Sequence, residues 1–367
     1  MNRRLEKLQR QLQKSRLKGL LVKVNESGQS TQPNNQNVLY ISGFAGSTAV
    51  LLITADKAFI ITDARYFARA KSEAKGFRLV KMERGKKATV SINQALEQAG
   101  LTGKSPVGFE GNRLPYQVYQ EWKKDLQANL VNTSGLIERL RQYKEPDEIA
   151  EIRQACKATS RVYAEVVRLI KPGMTENEVA LEIDMRLRKH GAVDNSFSSI
   201  VASGPNSAVP HHATSDRKLK PGEPVVMDFG GVFPGGYCSD ITRTVFVPGK
   251  QPSAKMREVY KIVLEANQAA RKALKPGVMW KEYDGVARQY IAERGYGKYF
   301  THGLGHSLGL EAHDPFDYEK SPLAAGTVIT DEPGIYIDGV GGVRIEDDLV
   351  VTDDGVERLT MAPYWRF

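Results

Sequence analysis

The chain of 367 residues carries 52 Lys and Arg against 43 Asp and Glu, with 41% hydrophobic and 26% charged residues. That is the composition of a soluble globular protein long enough for two domains. The net charge of +9 is scattered among acids and forms no aromatic-studded basic patch, so no nucleic-acid partner is expected. Cys156 and Cys238 stand far apart without a CxxC, which excludes a disulfide framework. No stretch approaches about 18 consecutive apolar residues, so the chain is expected to be cytoplasmic, with no membrane association.

In chain order, Leu5, Leu8 and Leu12 recur at helical spacing among basic residues, predicting a solvated amphipathic helix over 2–17. Strands are predicted at 19–24, 38–41, 49–54 and 58–62, then a helix over 64–75, a strand at 77–82, a helix over 88–99 and a strand at 107–110. This alternation predicts an α/β layer domain over residues 1–133. Its 'GFAGS' stretch is too brief for a phosphate loop.

Long amphipathic helices then follow within 134–367, at 146–170, 175–190, 253–274 and 280–294. Thr175 with Glu178 reads as a capping box, Ser253 as an N-cap, and Gly191 and Gly295 as C′ glycines. 'LIKPG' at 169–173 and 'ALKPG' at 273–277 each separate two helices. Each second helix ends in a glycine 18 residues after the KPG glycine. The repeat predicts an α+β domain of two halves related by pseudo-twofold symmetry, with a site between them.

Five of the six histidines, His211, His212, His302, His306 and His313, fall in two glycine-rich segments, while His190 ends a helix, where it suits the macrodipole. In 'THGLGHSLGLEAHD' (301–314) the glycines argue against a helix. In an extended segment His302 and His306 share a face. Its Gly-x-Gly-x-x-x-Gly misses the dinucleotide fingerprint, so nucleotide binding is discarded.

The acids come from two places. 'VVMDFGGVFPGGYCSDITRT' (225–244) sets Asp228 and Asp240 in apolar strands around a Pro-Gly-Gly turn. 'TDEPGIYIDGVGGVRIEDDLVVT' (330–352) supplies Glu332 before a Pro-Gly turn. Arg344, Glu346 and Asp348 are expected on one strand face and Asp347 on the other, with a surface ladder an even alternative for Asp347 and Asp348. Packed together without cations, Asp228, Asp240, Glu332 and Glu346 would repel and take up protons. Two divalent ions balance four carboxylates, and with one imidazole the set suits Mn²⁺, Fe²⁺ or Co²⁺ better than a thiolate-seeking ion, zinc remaining open. Two such ions can activate a shared water, so the reaction class expected is metal-assisted hydrolysis.

'VASGPNSAVPHH', 'MDFGGVFPGGYCSDITRT', 'HGLGHSLGLEAHD', 'TDEPGIY' and 'GGVRIEDD' resemble, in order, the motif set of the pita-bread metallopeptidases, in the Xaa-Pro dipeptidase (prolidase) and aminopeptidase P branch. 'NVLYISGFAGSTAVLLITADKAFIITDARY' resembles the creatinase-type N-terminal domain of that branch. The resemblance implies hydrolysis of Xaa-Pro bonds by a hydroxide bridging two metals. It implies the ligands Asp228, Asp240, His306, Glu332 and Glu346, with Asp240 and Glu346 bridging and Glu332 as general base. It further implies that His211 (rather than His212), His302, His313 and Arg344 bind substrate, that the metal is Mn²⁺ or Co²⁺, and that the protein is a homodimer acting on proline-containing di- or oligopeptides.

Two departures stand out. The step from Asp228 to Asp240 is one position longer than is usual in the family, which is harmless only if the Pro234-Gly235-Gly236 turn absorbs it. Asp331 replaces an apolar residue before Glu332, facing either water or a neighbouring acid. Prolidase is the leading expectation and aminopeptidase P the alternative. A creatinase-like metal-free hydrolase and a non-catalytic binding module are the readings that loss of the acidic ligands would favour, and none is lost.

Overall fold

The structure, a computed structural model, describes residues 2–24 and 35–367. It divides into two compact units, Met1–Arg141 and Gln142–Phe367.

The first unit is built on one mixed sheet of six strands in the order β4-β3-β2-β1-β5-β6. These are β1 Gly19–Lys23, β2 Val50–Ile53, β3 Ala58–Thr62, β4 Arg78–Lys81, β5 Pro106–Phe109 and β6 Asn129–Asn132. The central strands are apolar on both faces because helices cover both. Around them run α1 Arg3–Lys14, α2 Gln36–Ser42, α3 Phe67–Glu73, α4 Ala88–Ala99, α5 Tyr116–Asp125 and α6 Leu136–Arg141. Leu5, Leu8 and Leu12 are buried on α1, and Leu52, Ile61, Ile92 and Trp122 share one core cluster. Each such side chain contributes roughly 1.5–3 kcal/mol by leaving water.

Three expectations change here. The run at 38–41 is helical, not a strand: Asn35 accepts from Asn37 N–H as the N-cap, and Gly43 closes the helix at φ +75°. Apolar runs this short are ambiguous until their caps are read. Helix α5 and strand β6 were not anticipated, because α5 buries only Trp122 and β6 is an exposed edge. The expected division at 133/134 falls between β6 and α6, and α6 remains with the first unit.

In the second unit, α7 Pro146–Val166 and α8 Glu176–Lys189 precede β7 Asp194–Asn195, β8 Ile200–Ser203, β9 Pro224–Phe229, β10 Gly231–Val232 and β11 Ile241–Phe246. The second half repeats the plan with α9 Ala254–Ala273, β12 Val278–Met279, α10 Trp280–Glu293, β13 Pro322–Leu323, β14 Val328–Asp331, β15 Gly334–Ile337, β16 Gly341–Arg344, β17 Asp347–Val351 and β18 Val356–Arg358. The capping box of Thr175 and Glu178 and the N-cap of Ser253 form as expected. The internal repeat extends to single hydrogen bonds. Gly173 N–H donates to Leu219 C=O at 2.9 Å, and Gly277 N–H donates to Leu323 C=O at 2.8 Å, each spanning the same number of positions. All four repeat glycines, Gly173, Gly191, Gly277 and Gly295, lie at φ between +83° and +98°, where other residues are strained.

The sheet β11-β9-β8 of the first half meets the strands of the second half along β11. Thr244 Oγ donates to Arg344 C=O and accepts from Arg344 N–H, and Glu346 N–H donates to Thr242 C=O at 3.0 Å. This seam draws the acids of the two halves together.

Candidate active site and metal centre

The hairpin β9–β11 answers the question of its turn. Asp228 pairs with Thr242, and the same register continues unbroken through the Val232–Cys238 bridge to Phe233, whose N–H donates to Tyr237 C=O. The additional position therefore sits in Pro234-Gly235-Gly236, with both glycines at φ near +90°. Because Asp240 lies two residues before Thr242, it shares the face that Thr242 shares with Asp228. Gly230, opposite Asp240, has no room for a side chain: a Cβ there would lie 1.9 Å from Ser239 C=O.

A cavity of about 690 Å³ opens over this face. It is lined by every anticipated residue: Asp228, Asp240, His306, Glu332 and Glu346, with His211, His302, His313 and Arg344. One ligand atom each from Asp240, His306 and Glu346 lie within 4.8 Å of one another. His306 Nε2 is 3.7 Å from Asp240 Oδ2 and 3.4 Å from Glu332 Oε1, which adds Glu332 to the group. Asp228 stands on the same wall but is paired with Arg344, Nη2 to Oδ2 at 2.5 Å.

The electrostatics are those of a site made for cations. Burial, reinforced by neighbouring carboxylates, pushes Asp240 and Glu346 well above the usual carboxyl range. Burial also pushes Glu332 up to about 8. Asp240 Oδ1 and Glu346 Oε1 are buried without a hydrogen-bond partner, an arrangement that costs several kcal/mol if charged and uncompensated. Burial depresses His306 to about 4, so its ring is neutral and its lone pair is available to a metal. Oxygen donors with one imidazole fit a divalent ion.

The candidate ligand side chains are held by neighbours, of which sequence reading singled out Asp348 but neither Thr242 nor Thr330. Thr242 Oγ donates to Glu346 Oε2 at 2.7 Å, and Thr330 Oγ donates to Glu332 Oε1 at 3.0 Å. Asp348 Oδ2 accepts from Asp240 N–H and from Cys156 Sγ, both at 3.1 Å. Alternation in 'DITRT' marks Thr242 as facing the same way as Asp240, a signal that was available. Lys144 Nζ, 1% exposed, donates to Ser307 Oγ at 3.1 Å and pairs with Asp314 at 3.2 Å, tying down the segment between His306 and His313.

Arg344, Tyr336 and His302 form a directional chain. Gly303 C=O only accepts, so His302 Nδ1 carries the proton in the 2.7 Å contact between them. Nε2 of the neutral ring then accepts from Tyr336 O–H at 2.8 Å, and the Tyr336 oxygen accepts from Arg344 Nη1 at 2.9 Å. Burial depresses His302 to about 4, in accord with a neutral ring. Both its nitrogens are engaged within the protein, so His302 presents its ring to the cavity and buttresses Tyr336. His313 stacks on His306 with centroids 3.8 Å apart.

For three outer acids the structure decides between the expected alternatives. Asp347 and Asp348 form no surface ladder: both are fully buried. Asp347 pairs with Arg243 at 2.6 Å and Arg271 at 3.2 Å, away from the cavity. The chain leaves β16 at Ile345 and Glu346 before entering β17 in another sheet, yet Arg344 and Glu346 line the cavity, Asp348 reaches the Asp240 backbone and Asp347 turns to Arg243, so the two expected faces persist. Asp331 is fully buried, which removes the water-facing alternative. The Tyr283 hydroxyl faces it and Asp347 acts on it, but neither carboxyl oxygen has a well-formed hydrogen bond.

The remaining lining residues include Phe197, Ile200, Pro210, Trp280 and Tyr318, an apolar wall beside a polar floor. Among the described residues, no helix is long and apolar enough to cross a membrane.

Comparison with known proteins agrees with this geometry. Residues 4–143 match the creatinase/prolidase N-terminal domain, and residues 150–353 match metallopeptidase family M24. An Xaa-Pro dipeptidase of Pyrococcus horikoshii is 39% identical over 333 residues, covering 89% of this chain and 90% of the relative. The structure of an Xaa-Pro dipeptidase from Bacillus anthracis superposes with a TM-score of 0.90 at 37% identity, covering 99% of this chain and 98% of that one. An X-Pro aminopeptidase from Thermotoga maritima gives 0.88 at 34% identity, covering 98% and 99%. With a creatinase-type first unit and a pita-bread second unit, the chain belongs to metallopeptidase family M24.

Proposed function

We propose that this enzyme hydrolyses the peptide bond before proline in short peptides, as an Xaa-Pro dipeptidase, using two divalent cations held by Asp228, Asp240, His306, Glu332 and Glu346. The observation that carries the reading is the group of buried, hydrogen-bond-deficient carboxylates beside a neutral imidazole on the wall of a substrate-sized cavity. Mn²⁺ is the first candidate and Co²⁺ the second, since the donors are oxygens with one nitrogen. When bound, such ions act as Lewis acids and lower the pKa of a water molecule.

The chain's own residues do the rest. Glu332, oriented by Thr330, takes the proton of the attacking water and returns one to the leaving nitrogen. His211 and His313 bind the substrate's polar groups at the reacting bond. Arg344, fixed by Asp228 and Tyr336, keeps a positive charge beside the developing oxyanion. Phe197, Ile200 and Trp280 offer the apolar surface that a prolyl ring, which lacks an N–H to satisfy, requires.

The test is chelation followed by assay of Ala-Pro and Ala-Pro-Ala before and after Mn²⁺ is restored. Metal-dependent cleavage of Ala-Pro supports the reading, and no cleavage of either peptide by metal-loaded enzyme rejects it. One observation favours a second reading, Xaa-Pro aminopeptidase action on longer peptides. Arg344 is the one guanidinium among the described lining residues, and Asp228, Tyr336, Thr242 and Pro210 C=O already engage it. A free carboxylate on the proline of a dipeptide finds no uncommitted arginine there, whereas a longer peptide needs none. Cleavage confined to Ala-Pro-Ala selects that reading. Homodimer formation, checked by light scattering, and a cytoplasmic location, in keeping with two buried free thiols, complete the proposal.

A further inference from the structure

His211 reaches the cavity from a connection that has no strand or α-helix to fix it. After β8 the chain makes a short 3₁₀ turn at Gly204–Ala208, passes His211 and His212, and returns at Ser215 towards β9. Beside the bonds of Thr214 to Ser199 and Val201 and of Ser207 to Gly342, this loop is held by one carboxylate on a different element. Glu176, the first residue of α8, is fully buried. Its Oε1 accepts from Ser203 N–H and Ser203 Oγ, both at 2.7 Å, and from Asn206 Nδ2 at 3.0 Å. Its Oε2 accepts from His212 Nε2 at 2.9 Å, Ser215 N–H at 3.2 Å and Ser215 Oγ at 2.6 Å.

Six donors from the entry, middle and exit of one loop therefore converge on one acidic group. A carboxylate is the side chain suited to this, since it offers about four acceptor sites and no donor. Burial works against its charge, and the donors from Ser215 and Ser203 outweigh that, leaving Glu176 below the usual range. The opposite side of the loop is pinned by Arg344, whose Nη1 donates to Pro210 C=O at 3.3 Å. His211 sits between these two anchors, and His212, which also lines the cavity, commits its Nε2 to Glu176.

We propose that Glu176, acting through His212 and the two serines, is a positioning residue that sets where His211 meets the substrate. This rests on the reading of His211 as a substrate-binding group.

Glu176→Gln keeps the shape but replaces one acceptor oxygen with an NH₂ that faces a backbone N–H, of Ser203 or of Ser215, donor against donor, so the network breaks on that side and the loop shifts. The experiment measures kcat/KM on the cleaved Xaa-Pro peptide for metal-loaded wild type, Glu176→Gln, His211→Ala and the double variant, with metal content and Tm recorded. Misplacement of a reacting contact by an ångström lowers rate by up to about 100-fold. The expected result is a fall of about 10- to 100-fold for Glu176→Gln at unchanged metal content, shrinking to less than about threefold in the His211→Ala background. An equal fall in both backgrounds, or none in either, overturns the positioning role while leaving the function intact. A His211→Ala variant as active as wild type removes the His211 assignment and this inference with it. Should Glu176→Gln fail to fold, His212→Ala enters the same cycle with the same criterion, because it deletes one of the six donors and leaves the carboxylate in place.

Discussion

Asp228 and Thr242 face each other directly across the antiparallel β9–β11 ladder, and Asp240 lies two residues from Thr242 on the same face. Face, not sequence distance, is what brings the carboxylates together. One glycine inserted between Gly235 and Gly236 should cost under about 1 kcal/mol of stability, since loop closure depends weakly on length. The same insertion between Met227 and Asp228 turns Asp228 to the opposite face and should abolish metal-dependent activity. Thermal melts and activity in restored Mn²⁺ compare the two.

Asp240→Ala removes a buried carboxylate that its neighbours force towards protonation. Activity should fall by more than about 100-fold, beyond the effect typical of outer-shell residues. The fold should survive, because relieving like-charge repulsion offsets the small void. Circular dichroism and metal stoichiometry separate the two effects, and near-normal turnover would remove Asp240 from the ligand set.

Asp348→Asn tests the layer behind the ligands. Its Oδ2 fixes the Asp240 backbone and accepts from Cys156. Loss of such support should weaken metal affinity by about 10- to 100-fold, read by chelator competition, with the secondary structure unchanged. Affinity equal to wild type would mean that Asp348 is only a packing group.

Lys144→Met breaks a buried ion pair and leaves Asp314, also 1% exposed, without its cation. The expected loss is about 3–5 kcal/mol, measured by urea unfolding. Lys144→Met with Asp314→Leu should recover part of it, since no buried charge then remains. A single variant as stable as wild type would contradict the geometry.

Glu110 in the first unit makes stability pH-dependent. It accepts from Asn35 Nδ2 at 2.7 Å and from Asn37, and Asn37 in turn accepts from Arg141. Burial, with Glu138 nearby and Arg113 only partly offsetting it, raises Glu110 from 4.5 to about 7. The folded state therefore holds a proton that the unfolded state releases. The contribution is fully present below pH 4.5 and is lost as pH rises through about 7, on the order of 3 kcal/mol in all. Glu110→Gln should remove this slope, so wild type loses stability relative to the variant between pH 5 and 8. Parallel melting curves at both pH values would refute it.

How much was legible beforehand follows from the range of the forces involved. Helix α8 with its capping box and the N-cap at Ser253 depend on residues three or four apart, and the KPG repeat on one spacing used twice, all of which appear in order along the chain. Alternation marks residues that share a strand face, and applied to 'DITRT' it sets Thr242 beside Asp240, a pairing the motif reading passed over. The run at 38–41 misled because its fate lies in Asn35 and Gly43 at its ends, not in its apolar residues.

The sequence by itself determined the chemistry available: which acids and imidazoles sit in apolar surroundings, and in which motifs. Only the tertiary structure decided their company. Asp347 and Asp348 look alike in sequence, yet one answers Arg243 and the other holds the Asp240 backbone. Thr242 meets Glu346, and Glu176 gathers a loop that begins 27 residues away at Ser203. Burial and partner, unlike alternation, are properties of what other segments bring to a residue. A carboxylate has the same local pattern whether it meets water, a guanidinium or three more acids, and its charge state and role follow from that meeting.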